Sequence, residues 1–392
     1  MFKTIAGDLN LAVDVNAKKT LFSAIYLGVI GPAVFIVQPG FVQGLVEYHG
    51  FNEQQAGYVA SAEMWGIAIT TLVLTVMASR VNWRHLLTCA VLLAAVGNFL
   101  SMATADAVSF AVLRCITGIG SGVLISLSFT VIGLSGNPDR NFGFLIMWVL
   151  IYGAIGFLLM PLAYSQVGMG GVLLFLGLFN LSALPFIRHL PTSEQGHAQV
   201  DEHAINLPPV LKSMAVATMF VYFIAQGVVW AYLFLIGTSG GGTEQEVSNG
   251  LTLSQFFGIA GAFSAAMLGS RLGRISPLTM GVAGSIISLT LLFGQMGALV
   301  YALAVCVFNF AWNLTHPFLL AALASFDRSG RIVVHGVAAQ MLGLAIGPAL
   351  AASVIAKDEY SNVIWLGMLL FAGALVLIIP PLLYQRKQQP VM

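Results

Sequence analysis

The sequence predicts an all-α membrane protein, with twelve transmembrane helices in two six-helix pseudo-symmetric bundles, and three observations carry that prediction. The first is composition: 58% of the 392 residues are hydrophobic, 8% are charged and the mean hydropathy is +0.91, far outside the range of soluble domains. The second is that apolar runs of about 20 residues, the length that crosses a bilayer core, recur twelve times along the chain. The third is weak internal repetition at offsets of 187 to 192 residues. Gln38 matches Gln226, Glu63-Met64-Trp65-Gly66 matches Gln255-Phe256-Phe257-Gly258, Arg80 and Arg84 match Arg271 and Arg274, Asp139-Arg140 matches Asp327-Arg328, and Pro161 matches Pro348. One such match carries nothing, but five in order indicate a duplicated six-helix unit with its copies in parallel orientation.

Residues 1–19 mix Lys3, Asp8, Asp14, Lys18 and Lys19 with no separate apolar stretch and cleavage site. They read as a cytoplasmic segment, not a cleaved signal, and the first span then serves for targeting. Spans 1 to 6 fall at 20–46, 55–79, 85–104, 107–134, 142–165 and 170–188, so the N-terminal bundle covers 20–188. Residues 189–207 are the long polar stretch, with Pro191, Glu194, Asp201 and Glu202, and form a cytoplasmic linker. Its His189, His197 and His203 have irregular spacing and no cysteine beside them, which argues against a metal site. Spans 7 to 12 fall at 208–237, 248–270, 277–297, 299–325, 333–356 and 362–384, giving a C-terminal bundle over 208–384 and a cytoplasmic tail over 385–392.

Charge fixes the orientation. With the N-terminus inside, Lys3, Lys18, Lys19, Arg80, Arg84, Arg140, Arg188, Lys212, Arg271, Arg274, Arg328, Arg331, Arg386 and Lys387 fall on the cytoplasmic side, and Lys357 alone falls outside. That is the positive-inside pattern, with both termini cytoplasmic. Cys89, Cys115 and Cys306 all lie within spans and read as small packing residues, not a disulfide framework. Asn180 and Asn313 head glycosylation sequons but lie inside spans, so neither is an acceptor. Glu47, His49, Glu53 and Asp106 crowd the outer loops as solvated charges, or as a vestibule that concentrates cations.

Arg114 is the one basic residue within a span, and an arginine in hydrocarbon needs a partner or a water-filled cavity. On a helix Arg114, Gly118 and Gly122 form one stripe. Glu63 enters span 2 to a depth similar to that of Arg114 in span 4, so the two are expected to meet directly or through Gln38 and water. A static neutralising pair is one account. The other is proton carriage, because burial favours the neutral acid while a nearby arginine favours the carboxylate, and a change in either would load or release a proton. Gln255, the repeat equivalent of Glu63, cannot titrate, so coupling would sit in one half. In the C-terminal half Asn309, Asn313 and His316 follow i, i+4, i+7 beside Trp312, and Tyr222, Gln226 and Trp230 follow i, i+4, i+8; span 5 adds Trp148 and Tyr152. Asn and Gln bonding between helices would explain some of these, but the span 10 stripe reads as cavity lining. His316 is a second coupling candidate, and Pro317 beside it reads as a bend for gating.

These residues carry a resemblance to the major facilitator superfamily over about Lys19 to Lys387. Twelve spans, a six-plus-six division and both termini inside are its ground plan, and its span 4 motif of an arginine followed by three alternating glycines is matched by Arg114, Gly118, Gly120 and Gly122. The family loop between spans 2 and 3 survives in part: Arg80 and Arg84 in the first copy, and Gly269, Arg271, Gly273 and Arg274 in the second, where a serine replaces the acid. The antiporter pattern of span 5 keeps Gly153, Gly156 and Pro161 but has Met160 before the proline, so similarity to drug/proton antiporter-like members is partial; Gly347-Pro348 in span 11 is the fuller pair.

The resemblance implies spans 1, 4, 7 and 10 around a central cavity. Gln38, Trp148, Tyr152, Tyr222, Gln226, Trp230, Gln255, Asn309, Trp312 and Asn313 would line an aromatic, hydrogen-bonding substrate site. Glu63, Arg114 and His316 would couple protons, and Gly118, Gly122, Arg80, Arg271, Asp139 and Asp327 would pack or gate, with the glycines forming a groove for the first helix. The expected protein is a secondary active transporter, proton-coupled, moving a small amphiphilic or aromatic solute by alternating access, with efflux as one direction. Uptake of an organic anion paired by Arg114 is the rival within the class. A polytopic membrane enzyme is disfavoured, since no acidic pair, His-x-x-x-His or phosphate-cradling glycine loop sits at a membrane edge. A channel lacks a filter sequence or ring of charges. No cofactor, metal or nucleic acid partner is expected. The partners are the bilayer and a small-molecule substrate, the energy source is a proton gradient, and the setting is a monomer in a bacterial inner membrane.

Overall fold

The computed structural model describes residues 13–193, 207–269, 273–327, 331–356 and 359–388. Among them nine helices are long and apolar enough to cross a membrane, and three local features bring the passes to twelve. Helix α7 (Pro138–Leu181) carries spans 5 and 6 in one run, turned at Gly168, whose φ of 61° suits a residue without Cβ. Helix α12 (Ile275–Thr290) is a short span 9 of 16 residues. Span 1 is broken into α1 (Lys18–Ile30), α2 (Ala33–Ile36) and α3 (Gln38–Glu47).

The breaks have plain causes. Pro32 and Pro39 lack the amide hydrogen that a continuous helix would need at those positions. Span 7 is likewise split into α9 (Pro209–Trp230) and α10 (Leu233–Ser239), so repeat-related spans 1 and 7 both bend. The continuous helices expected at 20–46 and 208–237 are corrected accordingly: hydropathy reports burial, not backbone continuity. The remaining spans are α4 (Glu53–Met77), α5 (Trp83–Ser101), α6 (Ala107–Gly133), α11 (Glu244–Leu268), α13 (Ala298–Ser325), α14 (Arg331–Val354) and α15 (Ser361–Gln388). A single turn, α8 (Leu184–Ile187), follows span 6.

Their ends are built by local chemistry. Asn52 and Gln55 form a reciprocal capping box at α4, Thr243 and Glu246 do the same at α11, and Asp106 accepts from Ser109 N at 2.8 Å to start α6. That bond holds the Asp106 carboxyl below its ordinary pKa. Because successive spans alternate in direction, Lys18, Arg80, Arg84, Arg140, Lys212, Arg274, Arg386 and Lys387 all gather at one face, the terminal face, and the capped starts of α4, α6 and α11 at the opposite, far face. Of the linker, residues 194–206 lie outside the described residues.

The two six-helix units meet along α4 with α14 and α7 with α11. Hydrogen bonds between the units sit toward the far face: Gln43 Nε2 to Glu244 at 3.0 Å, Tyr48 Oη to Glu244 at 3.0 Å, Tyr232 Oη to the Glu53 carbonyl at 2.8 Å, and Ser61 Oγ to the Ala345 carbonyl at 2.6 Å. Burial and the Glu244 carboxylate raise the Tyr48 pKa above the ordinary phenol value. At the terminal face, α9 and α14 instead wall an open cavity of about 780 Å³. Among the described residues the hydrogen bonds between the units thus gather away from the terminal face, and the cavity there is lined by the C-terminal unit.

Candidate functional site

Glu63 and Arg114 meet directly. Arg114 Nη2 donates to Glu63 Oε1 at 2.7 Å and Nε to Oε2 at 3.2 Å, a two-point pair in which Arg114 is 0% and Glu63 3% exposed. The guanidinium also donates from Nη1 to Asn98 Oδ1 at 2.8 Å and lies 5.3 Å from the centre of the Phe41 ring. Spans 1, 2, 3 and 4 thus converge on one charge. Asn98 was missed in the sequence, although an asparagine in an otherwise apolar span 3 was the available signal.

The pair is held by the closeness of its helices. A Cβ at Gly118 would collide with the Glu63 carbonyl oxygen, and one at Gly66 with the Cys115 carbonyl; Gly122 faces Ile67 and Thr70. The span 4 groove therefore receives span 2, not the first helix. Gly120, on another side, faces Ala90 and Ala94 of span 3, and span 1 approaches lower down, where Gly31 meets Ile125. The expected groove for the first helix is corrected on this ground: seating Glu63 on Arg114 requires the backbones of spans 2 and 4 to touch.

The repeat-equivalent crossing of spans 8 and 10 is as tight and carries no charge. Gly261 faces the Phe310 backbone and Gly258 faces Asn309 and Asn313. Asn313 Nδ2 donates to Asn309 Oδ1 at 2.8 Å and to its carbonyl at 2.9 Å, and Asn309 Nδ2 to Ser254 Oγ at 3.3 Å. Gln255 is buried, and its side chain faces Gly153 of span 5.

Toward the middle, an aromatic cluster joins the two units. Trp312 meets Phe35 at 6.2 Å and Trp230 at 5.5 Å between ring centres, and Trp230 meets Phe157 at 6.0 Å, all near edge-on. Trp230 Nε1 donates to the Phe35 carbonyl at 2.9 Å. Phe35 and Phe157 are additions to the sequence reading.

The other candidates lie apart from these groups. Tyr222 and Gln226 are buried in the C-terminal bundle, with Gln226 Nε2 on Tyr222 Oη at 2.9 Å and the Tyr222 ring edge-on to Phe371 of span 12. Gln38 is buried as well, and the Oε1 of Gln38 and of Gln226 each has no hydrogen-bond partner among the described residues. Tyr152 stacks on Phe179 of span 6 at 5.5 Å, and Trp148 is half-exposed. His316 shares a hydrogen bond of 3.0 Å with Gln340 of span 11 and meets Phe223 of span 7 edge-on, so the span 10 stripe divides between two sets of neighbours. Arg80 is exposed at the terminal face. Asp327 accepts from Lys212 Nζ at 2.7 Å and, with Phe220 and His335, lines the open cavity. Arg271 lies outside the described residues, and Asp139 is described only as backbone of α7.

Comparison with known proteins adds the following. The sequence pattern of the family described as Major Facilitator Superfamily matches residues 23–333. Among solved structures, that of a D-xylose-proton symporter superposes with a TM-score of 0.73 at 14% identity, covering 92% of this chain and 96% of the other. A mutant of the nucleoside transporter NupG superposes with a TM-score of 0.71 at 12% identity, covering 92% and 98%. At such identities the likeness is one of fold. None of the curated proteins matches the chain significantly.

Proposed function

The chain belongs to the major facilitator superfamily and is a multi-pass membrane transporter, and we propose that it couples solute movement to protons through Glu63. The observation that carries this reading is the buried Glu63–Arg114 pair, the one place among the described residues where two charges are paired with almost no exposure. Coupling through this pair requires that Glu63 part from Arg114 in the other state of the cycle, where the acid would take a proton while Asn98 and Phe41 keep the guanidinium.

The solute is a small amphiphilic or aromatic molecule. The groups between the units include the tryptophans Trp230 and Trp312 and the amide Gln255, with Asn309 and Asn313 in the crossing of spans 8 and 10, and they offer ring faces and neutral hydrogen bonds. The rival, an organic anion held by Arg114, is weakened because Glu63 already pairs with that buried guanidinium and Asn98 accepts from it. The positive-inside pattern supports a cytoplasmic terminal face, and on this reading the protein works as a monomer in a bacterial inner membrane with its far face outside.

The test is a panel of amphiphilic and carboxylate solutes in proteoliposomes under imposed pH gradients of either direction. Proton-driven accumulation of a neutral or cationic amphiphile is expected, and the productive gradient direction gives import or export. Glu63→Gln should abolish accumulation while retaining exchange; accumulation unchanged by that substitution rejects the proposal.

A further inference from the structure

Two bonds between the units, one toward the middle and one nearer the far face, share a chemistry unrelated to charge. In a continuous helix each amide N–H bonds the carbonyl four residues earlier, so a proline leaves that carbonyl without its helical donor. Pro39 does this to Phe35, and Pro161 does it to Phe157. Phe35 keeps only a tight-turn contact from Val37 N–H.

The donors that reach these two carbonyls come from the other unit. Trp230 Nε1, on span 7, bonds the Phe35 carbonyl at 2.9 Å, and Ser248 Oγ, on span 8, bonds the Phe157 carbonyl. Both donors are buried, Trp230 at 4% exposed and Ser248 at 0%; the Ser248 bond is fully buried and the Trp230 bond, on half-buried Phe35, partly so. An uncapped carbonyl in such a place is costly, and a capped one is correspondingly directional. The two prolines lie on repeat-unrelated spans, 1 and 5, yet both caps run from the C-terminal unit to the N-terminal one.

We infer that Trp230 and Ser248 are gate residues, which hold the far side shut by capping the carbonyls that Pro39 and Pro161 leave bare. The inference rests on alternating access and not on proton coupling or on the identity of the solute. Opening of the far side separates the units, breaks both caps and exposes two carbonyl acceptors beside the Trp312 aromatic cluster. The prolines thus act as more than bends, because each converts a backbone group of one unit into an acceptor for the other.

Hydrogen exchange read by mass spectrometry on the full chain in lipid nanodiscs tests this without a substrate. Trp230→Phe keeps an aromatic ring, smaller than the indole, and removes the N–H, and Ser248→Ala removes the hydroxyl. Each should raise amide exchange in α3 and α10 by about 2- to 10-fold, the range for one lost hydrogen bond, and leave the terminal-face ends of α6 and α9 unchanged. In a Pro39→Ala background, where residue 39 supplies its own N–H to Phe35, Trp230→Phe should add nothing further. Unchanged exchange at the far side, a rise at both faces, or an undiminished Trp230→Phe effect in the Pro39→Ala background would each overturn the inference. Unlike the proton proposal, it is indifferent to Glu63→Gln.

Discussion

The crossing of spans 2 and 4 and the crossing of spans 8 and 10 are built alike and equipped differently. In both, a glycine brings two backbones together, Gly118 on Glu63 in one and Gly261 on Phe310 in the other. The neighbouring crossings correspond too: Gly97 of span 3 sits on Thr117 of span 4 as Gly281 of span 9 sits on Thr315 of span 10. What fills the shared frame differs. The first crossing encloses Glu63, Arg114 and Asn98, and the second encloses Ser254, Asn309 and Asn313. The packing is alike in both while the buried charges lie on one side alone. On the function proposed above, the contrast would divide labour, with protons handled in the first unit and neutral solute contacts in the second.

The largest effect that could break this contrast is on coupling. Glu63→Gln removes the group that can take a proton and leaves Arg114 with Asn98 and the Phe41 ring, and gradient-driven accumulation in proteoliposomes should vanish while counterflow persists. The converse, Gln255→Glu, places a carboxylate where no arginine is within reach among the described residues; it should lower thermal stability at neutral pH and recover it as pH falls and the acid takes a proton. Next in size is Arg114→Met. Breaking a buried pair from one side costs about 3–5 kcal/mol, and a thermal-shift assay should show most of that loss restored in Glu63→Gln/Arg114→Met. If the double variant is as unstable as Arg114→Met, the pair is not the unit it resembles.

Packing comes third and should treat the halves equally. Gly118→Ala and Gly261→Ala each push a methyl group onto backbone carbonyl oxygen, and overpacking of this kind costs about 1–3 kcal/mol. Similar losses of melting temperature are expected at both. A much larger loss at Gly118 would mean that the charge, not the crossing, is what the glycine protects.

Much of this was legible in the sequence. The spans, the repeat and the Glu63–Arg114 meeting followed from hydrocarbon length and from the isolation of two opposite charges in apolar helices. Asn98 was not found, because matching by charge passes over a neutral acceptor. The breaks in spans 1 and 7 left traces in Pro32 and Pro39, but an apolar run looks the same whether its backbone is continuous or not. The division of Asn309 and Asn313 from His316 depends on which helix crosses span 10 at each depth, and periodicity along one helix does not contain that. The Trp230–Phe35 bond was the least accessible, since its acceptor is a backbone carbonyl and carbonyls have no letter in the sequence.

The smallest expected effect distinguishes the two asparagines. Asn98 accepts from Arg114 whether Glu63 is ionised or neutral, but its contribution is not equal in the two states. With Glu63 ionised, the guanidinium already has a carboxylate on two of its nitrogens. Once Glu63 takes a proton, Asn98 Oδ1 and the Phe41 ring carry more of the burden of a charge held in hydrocarbon. Removing Asn98 therefore destabilises the protonated state more than the ionised one, and a lower pH is needed to populate it. Asn98→Ala should move the pH dependence of coupled transport toward acid, by about one unit if one charge-assisted hydrogen bond of ~1.5 kcal/mol is lost from the protonated state. Asn98→Asp supplies a second carboxylate to Arg114 and should move it toward alkali. Asn313→Ala, in the neutral crossing, should weaken solute binding in a thermal-shift titration and leave the pH profile where it was. A shift of the profile by Asn313→Ala, or none by either change at Asn98, would mean that the two crossings share the proton after all.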